Sequence, residues 1–414
     1  MINNVALLGG EFVGKTSIFS YIINSGSGKY EKEKSSTQLS KKFDDFFGNR
    51  INDECLFLST IYKNTTINFF DTKYEKNISQ NWYKKLLHCD SVILVLDIRN
   101  NTIADIYTQL TMLYVLGIKH IVFAFNKIDI YSFSESKSRF MKLRRLILNM
   151  MKEIGLKKEN KYFVPISAYT GENIRKSSGL KWYDSYLKNI ENVNEKCGTL
   201  LDLVTKKNNK EQNEINTKAL ITKTYSASVP IFTGIVCNKI NKEQSYFLQP
   251  GNIPVNIKLL QDSHEDKEHV TKGDNLAFTI TENLLELYSE SDLDLQNITA
   301  LTLDTSPGFT KFVCKIFVKN IPKIKTNVDL KLNFSTPCKI KKIFSILDKD
   351  ENNILTENTS VILQKQTAIA LIETDNPIHL EVYSKEFKQF KQGRIILQNN
   401  LNEIVGFGIV KGIK

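Results

Sequence analysis

Residues 5–23 read VALLGGEFVGKTSIFSYII. An apolar run enters a glycine-bearing turn and leaves as an apolar-periodic segment, so the pattern predicts strand, loop and helix in that order. Within it, Gly9, Gly10, Glu11, Phe12, Val13, Gly14, Lys15 and Thr16 match GxxxxGK followed by Ser or Thr, with Ser17 next. The glycines let the backbone curl until its N–H groups point at phosphate oxygens, and the following helix adds its positive N-terminal end. Lys15 is placed to reach β- and γ-phosphates, and the Thr16 hydroxyl to ligate Mg²⁺.

Working outward, DSVILVLDI at 90–98 predicts a strand ending near Asp97. NTIADIYTQLTMLYVLGIKH at 101–120 predicts a helix, with Ile103, Ile106, Leu110 and Leu113 at helical spacing and Gly117 as its C-cap. IVFAFNKIDI at 121–130 predicts a buried strand carrying Asn126, Lys127, Ile128 and Asp129. FVPISAYTGENI at 163–174 places Ser167 and Ala168 after another strand. Strands alternating with helices predict an α/β domain with a doubly wound, mostly parallel sheet, whose ligands bind at the carboxyl ends of the strands. All of these motifs fall there.

The NKID chemistry is specific. The Asp129 carboxylate can accept two hydrogen bonds from guanine N1–H and its exocyclic amine. Adenine lacks that pair of donors and would leave the carboxylate unpaired. Lys127 can lie across the base, Asn126 can tie its loop to the phosphate loop, and a backbone amide at Ser167–Ala168 can read guanine O6. The nucleotide-binding set is therefore Gly9–Ser17, Asn126, Lys127, Asp129, Ser167 and Ala168, with GTP or GDP and Mg²⁺ as ligands.

The chain has 414 residues, which predicts two or three domains. Its six cysteines are scattered, with no CxxC pair, and read as buried, reduced thiols of a cytosolic protein. No apolar run is long enough to span a bilayer, and the N-terminus does not read as a signal peptide. A net charge of +11 favours a polyanionic partner, against the plainer reading of surface lysines accumulated in a Lys-, Asn- and Ile-rich chain. Beyond residue 205, short alternating runs punctuated by Asn and Gly predict two small β-barrels. The expected domains are 1–205, 206–305 and 306–414. TKKNNKEQNEINTK lacks periodicity and reads as a linker or loop. Asp274, His379 and the Lys339, Lys341 and Lys342 group read singly as turn chemistry or a solvated face.

The order and wording of these segments resemble translational GTPases of the elongation factor 1-alpha type. The resemblance rests on HCDSVILVLD, LGIKHIVFAFNKID and FVPISAYTGENI, then Lys181–Trp182–Tyr183, Gly198–Thr199–Leu200–Leu201 and the Lys272–Gly273–Asp274–Asn275 segment. The last run, with Phe387, Phe390, Gly393 and Arg394, is most similar to release factor 3 and to the HBS-type ribosome-rescue GTPase that partners Pelota. The resemblance implies a cytoplasmic, monomeric factor without a membrane segment. It would deliver a Pelota-like or release-factor-like protein to the ribosome and contact rRNA. With the glycine loop so close to Met1, no room is expected for the N-terminal extension of such factors.

FFDTKYEKN at 69–77 departs from that family. There, Asp71 would open a switch motif Asp-x-Pro-Gly-His and support Mg²⁺ through a water. The glycine amide would bind the γ-phosphate and the histidine would orient the attacking water. Here Lys73, Tyr74 and Glu75 hold the last three positions. A non-glycine restricts the backbone rotation the switch needs. Glu75 is the one candidate for ordering water, and its like charge could instead repel the γ-phosphate. The magnesium-binding threonine of the first switch has no clear counterpart; Asn52 lies nearest by interval and Thr37 is remote. Phe12 replaces an aspartate. Residues 24–50 read as a mobile loop. Three functions follow: a rescue or termination GTPase, a GTP-bound adaptor of the same fold that does not hydrolyse, or a divergent elongation factor carrying aminoacyl-tRNA. A sulfurylase GTPase subunit shares the fold.

Overall fold

The computed structural model describes residues 2–26, 55–72, 86, 89–177, 179–191, 198–206, 217–225, 229–262, 265–282, 298–306, 308–318, 321–333, 336–348, 353–382 and 393–413. The chain divides into two compact units, with the main division after Lys210.

In the first unit, β1 (Ile2–Leu8) runs through the glycine loop into α1 (Lys15–Gly26). Then come β2 (Cys55–Tyr62), β3 (Thr65–Thr72), β4 (Ser91–Asp97), α2 (Ile103–Val115) and β5 (His120–Asn126). They are followed by α3 (Phe133–Ile154), β6 (Lys161–Pro165), α4 (Lys181–Tyr186) and α5 (Leu200–Thr205). The sheet order is β2-β3-β1-β4-β5-β6, parallel except for the β2–β3 hairpin. β4 and β5 are buried at every position, which explains their unbroken apolar runs. Because the order reverses at β1, a cleft opens above the carboxyl ends of β1, β4 and β5, where the motifs were expected.

Helix α2 ends at Val115, and Gly117 lies two residues beyond, at φ +66. Gly117 N–H donates to Tyr114 O and Ile118 N–H to Leu113 O, the paired bonds of a glycine-terminated helix. Strand β5 stops at Asn126, one residue short of the NKID lysine, and Ile128–Ile130 form a 3-10 turn. Helix α3 opens with a capping box between Ser132 and Glu135. Its Phe140 packs against Phe125 of β5 and Trp182 of α4, with ring centroids 4.9 and 5.2 Å away. This packing anchors the strand that leads into the NKID turn.

The second unit is two closed six-stranded antiparallel barrels. The first closes in the order Ser245–Gln249, Ala300–Thr302, Thr217–Tyr225, Ile231–Val236, Asn275–Ile280, Ile253–Asp262 and back to Ser245–Gln249. The other closes as Asp329–Leu332, Arg394–Gln398, Ile404–Ile413, Phe309–Val318, Thr367–Ile378, Thr336–Leu347 and back to Asp329–Leu332. Thr367–Ile378 alternates buried and half-exposed residues over its first eight positions, as a barrel wall requires. No helix among the described residues is long and apolar enough to cross a membrane. The thiols of Cys89, Cys314 and Cys338 are buried, whereas Cys237 is partly exposed, which corrects the expectation of uniformly buried thiols.

The polar residues singled out in the barrels behave in two ways. Asp274 accepts from the Thr271 N–H at 2.6 Å, which is turn chemistry, and Lys339 and Lys341 pair with Asp329 and Glu373. His379 is different: it is buried between Thr217 and Ser306.

Candidate nucleotide-binding site

The glycine loop is shaped by two of its three glycines. Gly9 has φ +144, and a Cβ there would lie 2.3 Å from Val95 O. Gly14 has φ +94, and a Cβ there would lie 2.4 Å from Asn126 Nδ2. Gly10 carries no such constraint. Phe12 adopts φ +57 and is 83% exposed. Glu11 is exposed and Val13 buried. Lys15 is buried, and its Nζ donates to Gly9 O at 3.0 Å and Gly10 O at 2.7 Å, so the ammonium lies inside the curl of the loop. Thr16 and Ser17 are half-buried in the first turn of α1.

Asn126 joins three loops. Its Nδ2 donates to Val13 O at 2.9 Å, and its Oδ1 accepts from Lys127 N–H at 2.8 Å and Ala168 N–H at 2.9 Å. It is 2% exposed, so these bonds are shielded from water. The tie from Asn126 to the phosphate loop was expected. Of the two amides at Ser167–Ala168, that of Ala168 donates to Asn126. Among the described residues, the next amide, that of Tyr169, has no hydrogen-bond partner. Ser167 is fully buried and its Oγ accepts from Thr170 N–H at 3.1 Å, so its hydroxyl shapes the turn.

Asp129 is exposed in the 3-10 turn, and its carboxylate has no hydrogen-bond partner among the described residues. Glu172 lies close enough for its carboxyl to be raised, by burial first and by the Asp129 charge second. Asp97, at the end of β4, carries two cations that the motif analysis did not foresee. Lys127 Nζ lies 2.7 Å from Asp97 Oδ2, and Arg99 forks the same carboxylate. Burial alone would raise the Asp97 carboxyl, but the bonds from Arg99 and Lys127 outweigh it and hold the carboxyl below its ordinary range. Sequence reasoning also missed Asn173 and Gly171. Asn173 Nδ2 donates to Pro165 O at 2.9 Å, and a Cβ at Gly171 would meet the Tyr21 ring at 2.2 Å. The turn triplet Gly171–Glu172–Asn173 was the available signal.

Asp71 lies at the end of β3, opposite Leu7 of β1, which puts its backbone beside the start of the phosphate loop. Lys73, Tyr74, Glu75, Thr37, Asn52, Phe387 and Phe390 lie outside the described residues.

A phosphate chain fits this loop: the curl that a Cβ at Gly9 or Gly14 would fill, the enclosed Lys15 ammonium and the N-terminus of α1 converge on it. A guanine fits the open Asp129 carboxylate beside the Asn126 junction. For Mg²⁺, the half-buried Thr16 hydroxyl is an oxygen donor at the loop–helix boundary.

Comparison with known proteins agrees. The family model of the elongation factor Tu GTP binding domain matches residues 1–292, and that described as GTP-eEF1A C-terminal domain-like matches residues 311–411. Elongation factor 1-alpha of Blastocystis hominis is 22% identical over 313 residues, covering 72% of this chain and 66% of the relative. That of Ignicoccus hospitalis is 24% identical over 307 residues, covering 72% and 65%. The chain thus spans just under two thirds of the length of these relatives. Among solved structures, the GTPase-like domain of S. cerevisiae Ski7, bound to GTP, gives a TM-score of 0.66 at 14% identity, with 99% of this chain and 97% of that one covered. The elongation factor SelB from Methanococcus maripaludis gives 0.63 at 15% identity, covering 100% and 80%. These two likenesses show a shared fold.

Proposed function

Because the chain belongs to the family of the elongation factor Tu GTP-binding domain, we propose that it is a guanine-nucleotide-binding translation factor of ribosome rescue, mRNA surveillance or termination. It would bring a Pelota-like or release-factor-like protein to the ribosome, as a cytoplasmic monomer contacting rRNA. The observation that carries the nucleotide reading is the Asn126 junction. One buried amide locks the phosphate loop, the NKID turn and the Ser167–Ala168 loop together beside an open carboxylate. The Ski7 domain, bound to GTP in its own crystal structure, supports a nucleotide in this fold.

In this reading, the loop amides of residues 9–14 and Lys15 hold the phosphates, and Thr16 and Asp71 hold Mg²⁺, Asp71 through a water. Asp129 reads guanine N1 and N2, and the amide of Tyr169 is the group available for O6. Mg²⁺ would neutralise charge on the β- and γ-phosphate oxygens. The +11 net charge suits a ribosomal partner.

A second reading has its own observation. DTKYE at 71–75 lacks the water-orienting histidine, so the same binding residues can serve an adaptor that holds GTP without hydrolysing it. A divergent aminoacyl-tRNA carrier is the third.

Titration of the full chain with fluorescent GTP, GDP and ATP analogues in Mg²⁺ tests the first point, and comparable affinity for ATP would refute the guanine assignment. Affinity purification then discriminates the partner: a Pelota-like or release-factor-like protein supports delivery, and aminoacyl-tRNA supports the third reading.

A further inference from the structure

Lys127 sits at φ +71 and Phe12 at φ +57, two non-glycine residues in the left-handed region. Such backbones persist only where neighbouring contacts over-determine them. One bond joins the pair: Lys127 Nζ donates to Phe12 O at 2.6 Å. The groups that hold the ammonium there are not part of the GxxxxGK, NKID or Ser–Ala motifs. Asp97 Oδ2 lies 2.7 Å from Lys127 Nζ. Arg99 fixes the plane of that carboxylate, with Nε at 3.0 Å from Oδ1 and 3.2 Å from Oδ2, and Nη2 at 2.7 Å from Oδ2. The Arg99 N–H adds a bond to Oδ1 at 2.9 Å. The Asp97 backbone is itself held, its N–H donating to Asn101 Oδ1 at 3.1 Å and its carbonyl accepting from Asn101 Nδ2.

We propose that Asp97, forked by Arg99, is a positioning residue that pins Lys127 across the phosphate loop and thereby sets how long a bound guanine nucleotide stays. The proposal rests on the guanine-nucleotide reading above. The physical chain is short. A planar guanidinium fits a carboxylate through two parallel bonds, which a lysine cannot reproduce. The fork aims Oδ2 at Lys127, and the side chain of Asp97 is only 10% exposed, so water competes weakly. Lys127 is the residue between Asn126 and the turn that carries Asp129, so its ammonium and its strained backbone are held by protein groups alone. Such pre-organisation lowers the cost of ordering the loop on binding. Loosening it frees the 127–129 turn and speeds release, while association, governed by encounter and orientation, changes little.

Stopped-flow association and release of a fluorescent N-methylanthraniloyl-GDP on the full chain test this. Asp97→Asn keeps the shape and removes the charge. It should speed release ~10-fold, the size of one charge-assisted bond, with association within ~2-fold. Arg99→Ala should speed release several-fold and Arg99→Lys should recover only part of the loss. The decisive readout is a double-mutant cycle. If Asp97 acts through Lys127, then Asp97→Asn in a Lys127→Ala background should add almost nothing. Unchanged release in Asp97→Asn, or an effect that adds in full to that of Lys127→Ala, overturns the proposal and leaves Asp97 a structural ion pair. Should Asp97→Asn not fold, the Arg99 variants in the same cycle decide. If the unaltered chain does not bind the GDP probe at all, the guanine-nucleotide reading itself falls, and this proposal with it.

Discussion

The base end of the cleft and its γ-phosphate end are supplied very differently by this chain. At the base end every group is present and cross-braced: Asn126 joins three loops, Lys127 reaches both the phosphate loop and Asp97, and Asp129 stands open. For the γ-phosphate end, Asp71 pairs with Leu7 of β1, and in sequence the next positions read Thr72, Lys73, Tyr74 and Glu75, with no histidine to orient water. The difference separates two properties that a nucleotide switch normally combines. On the proposed reading, ground-state affinity comes from groups that this chain retains. Rate comes from contacts made only in the transition state, and the histidine that would orient water is absent from 71–75.

The largest expected effect breaks the base end alone. Asp129→Asn replaces one acceptor oxygen by a donor amide, so guanine loses a partner while xanthine, with an oxygen at that edge, gains one. Preference for guanosine over xanthosine nucleotides should fall by ~10⁴-fold or more, the scale for a site built around a polar group. Competition of xanthosine diphosphate against labelled GDP measures it, and unchanged preference would mean that Asp129 does not face the base. Next in size is Gly14→Ala. The added methyl would stand 2.4 Å from Asn126 Nδ2 at a backbone angle of φ +94. Both the phosphate loop and the Asn126 junction must yield, so affinity for GTP and GDP should drop by ~100-fold, equivalent to ~3 kcal/mol. Gly10→Ala, where the nearest atom would be Val13 Cγ1 at 3.7 Å, should cost much less. Titration calorimetry on the pair checks the contrast.

What could be read in advance follows contact range. The phosphate loop and NKID turn are legible because their chemistry sits in fixed local spacing. The alternation of α and β elements is legible because β4 and β5 are buried along their whole length. The Arg99–Asp97–Lys127 network was not legible, since its two halves lie 30 residues apart and only parallel pairing of β4 with β5 brings Asp97 opposite Asn126. The spacing of Ser167–Ala168 is local and legible, but spacing does not show that the Ala168 amide turns toward Asn126. The start of helix α3 carries its own local signal in Ser132 and Glu135, three residues apart. The barrels were legible as β-structure, but their closing pairs are set by non-local register.

A smaller effect lies outside the cleft and provides its control. His379 is 7% exposed, and burial pushes its imidazole down to about 4. Thr217 Oγ1 donates to Glu381 Oε1 at 2.5 Å, so it can only accept from His379 Nε2, and Ser306 Oγ faces Nδ1 at 3.3 Å. The ring is thus held neutral. Between about 6.5 and about 4 the unfolded chain binds the proton that the folded chain refuses. Stability contributed here is therefore complete above the upper value and declines on acidification, by at most ~3 kcal/mol. Glu381 has the opposite sign: burial raises its carboxyl, so the folded form favours the proton and stability falls as pH rises through its raised value. His379→Gln should flatten the acid side of a melting-temperature profile. It should leave GDP affinity at neutral pH within ~2-fold, since the ring is neutral there. An acid limb as steep as in the unaltered chain would assign the decline to other groups.

The smallest expected effect is the most informative about the comparison. If Glu75 is only a charged residue in a disabled switch, Glu75→Ala should leave single-turnover GTP hydrolysis within ~2-fold of an already slow rate, with or without ribosomes. The reasoning is electrostatic. A carboxylate near the γ-phosphate adds negative charge where the transition state needs stabilisation, and it can act as a general base only with a raised pKa and hydrogen-bond reach to the water. A brisk ribosome-stimulated rate abolished by Glu75→Ala would reverse the conclusion and make Glu75 catalytic. Glu75→His separates the remaining cases. Hydrolysis created by the imidazole would show that the γ-phosphate end lacks only its trigger. A rate that stays low would place the block in the backbone, where Tyr74 replaces the glycine that a rotating switch peptide requires. In that second case, with Lys15→Ala abolishing binding and lowering the melting temperature of the first unit, the nucleotide acts as a structural ligand and the adaptor reading takes precedence over delivery coupled to hydrolysis.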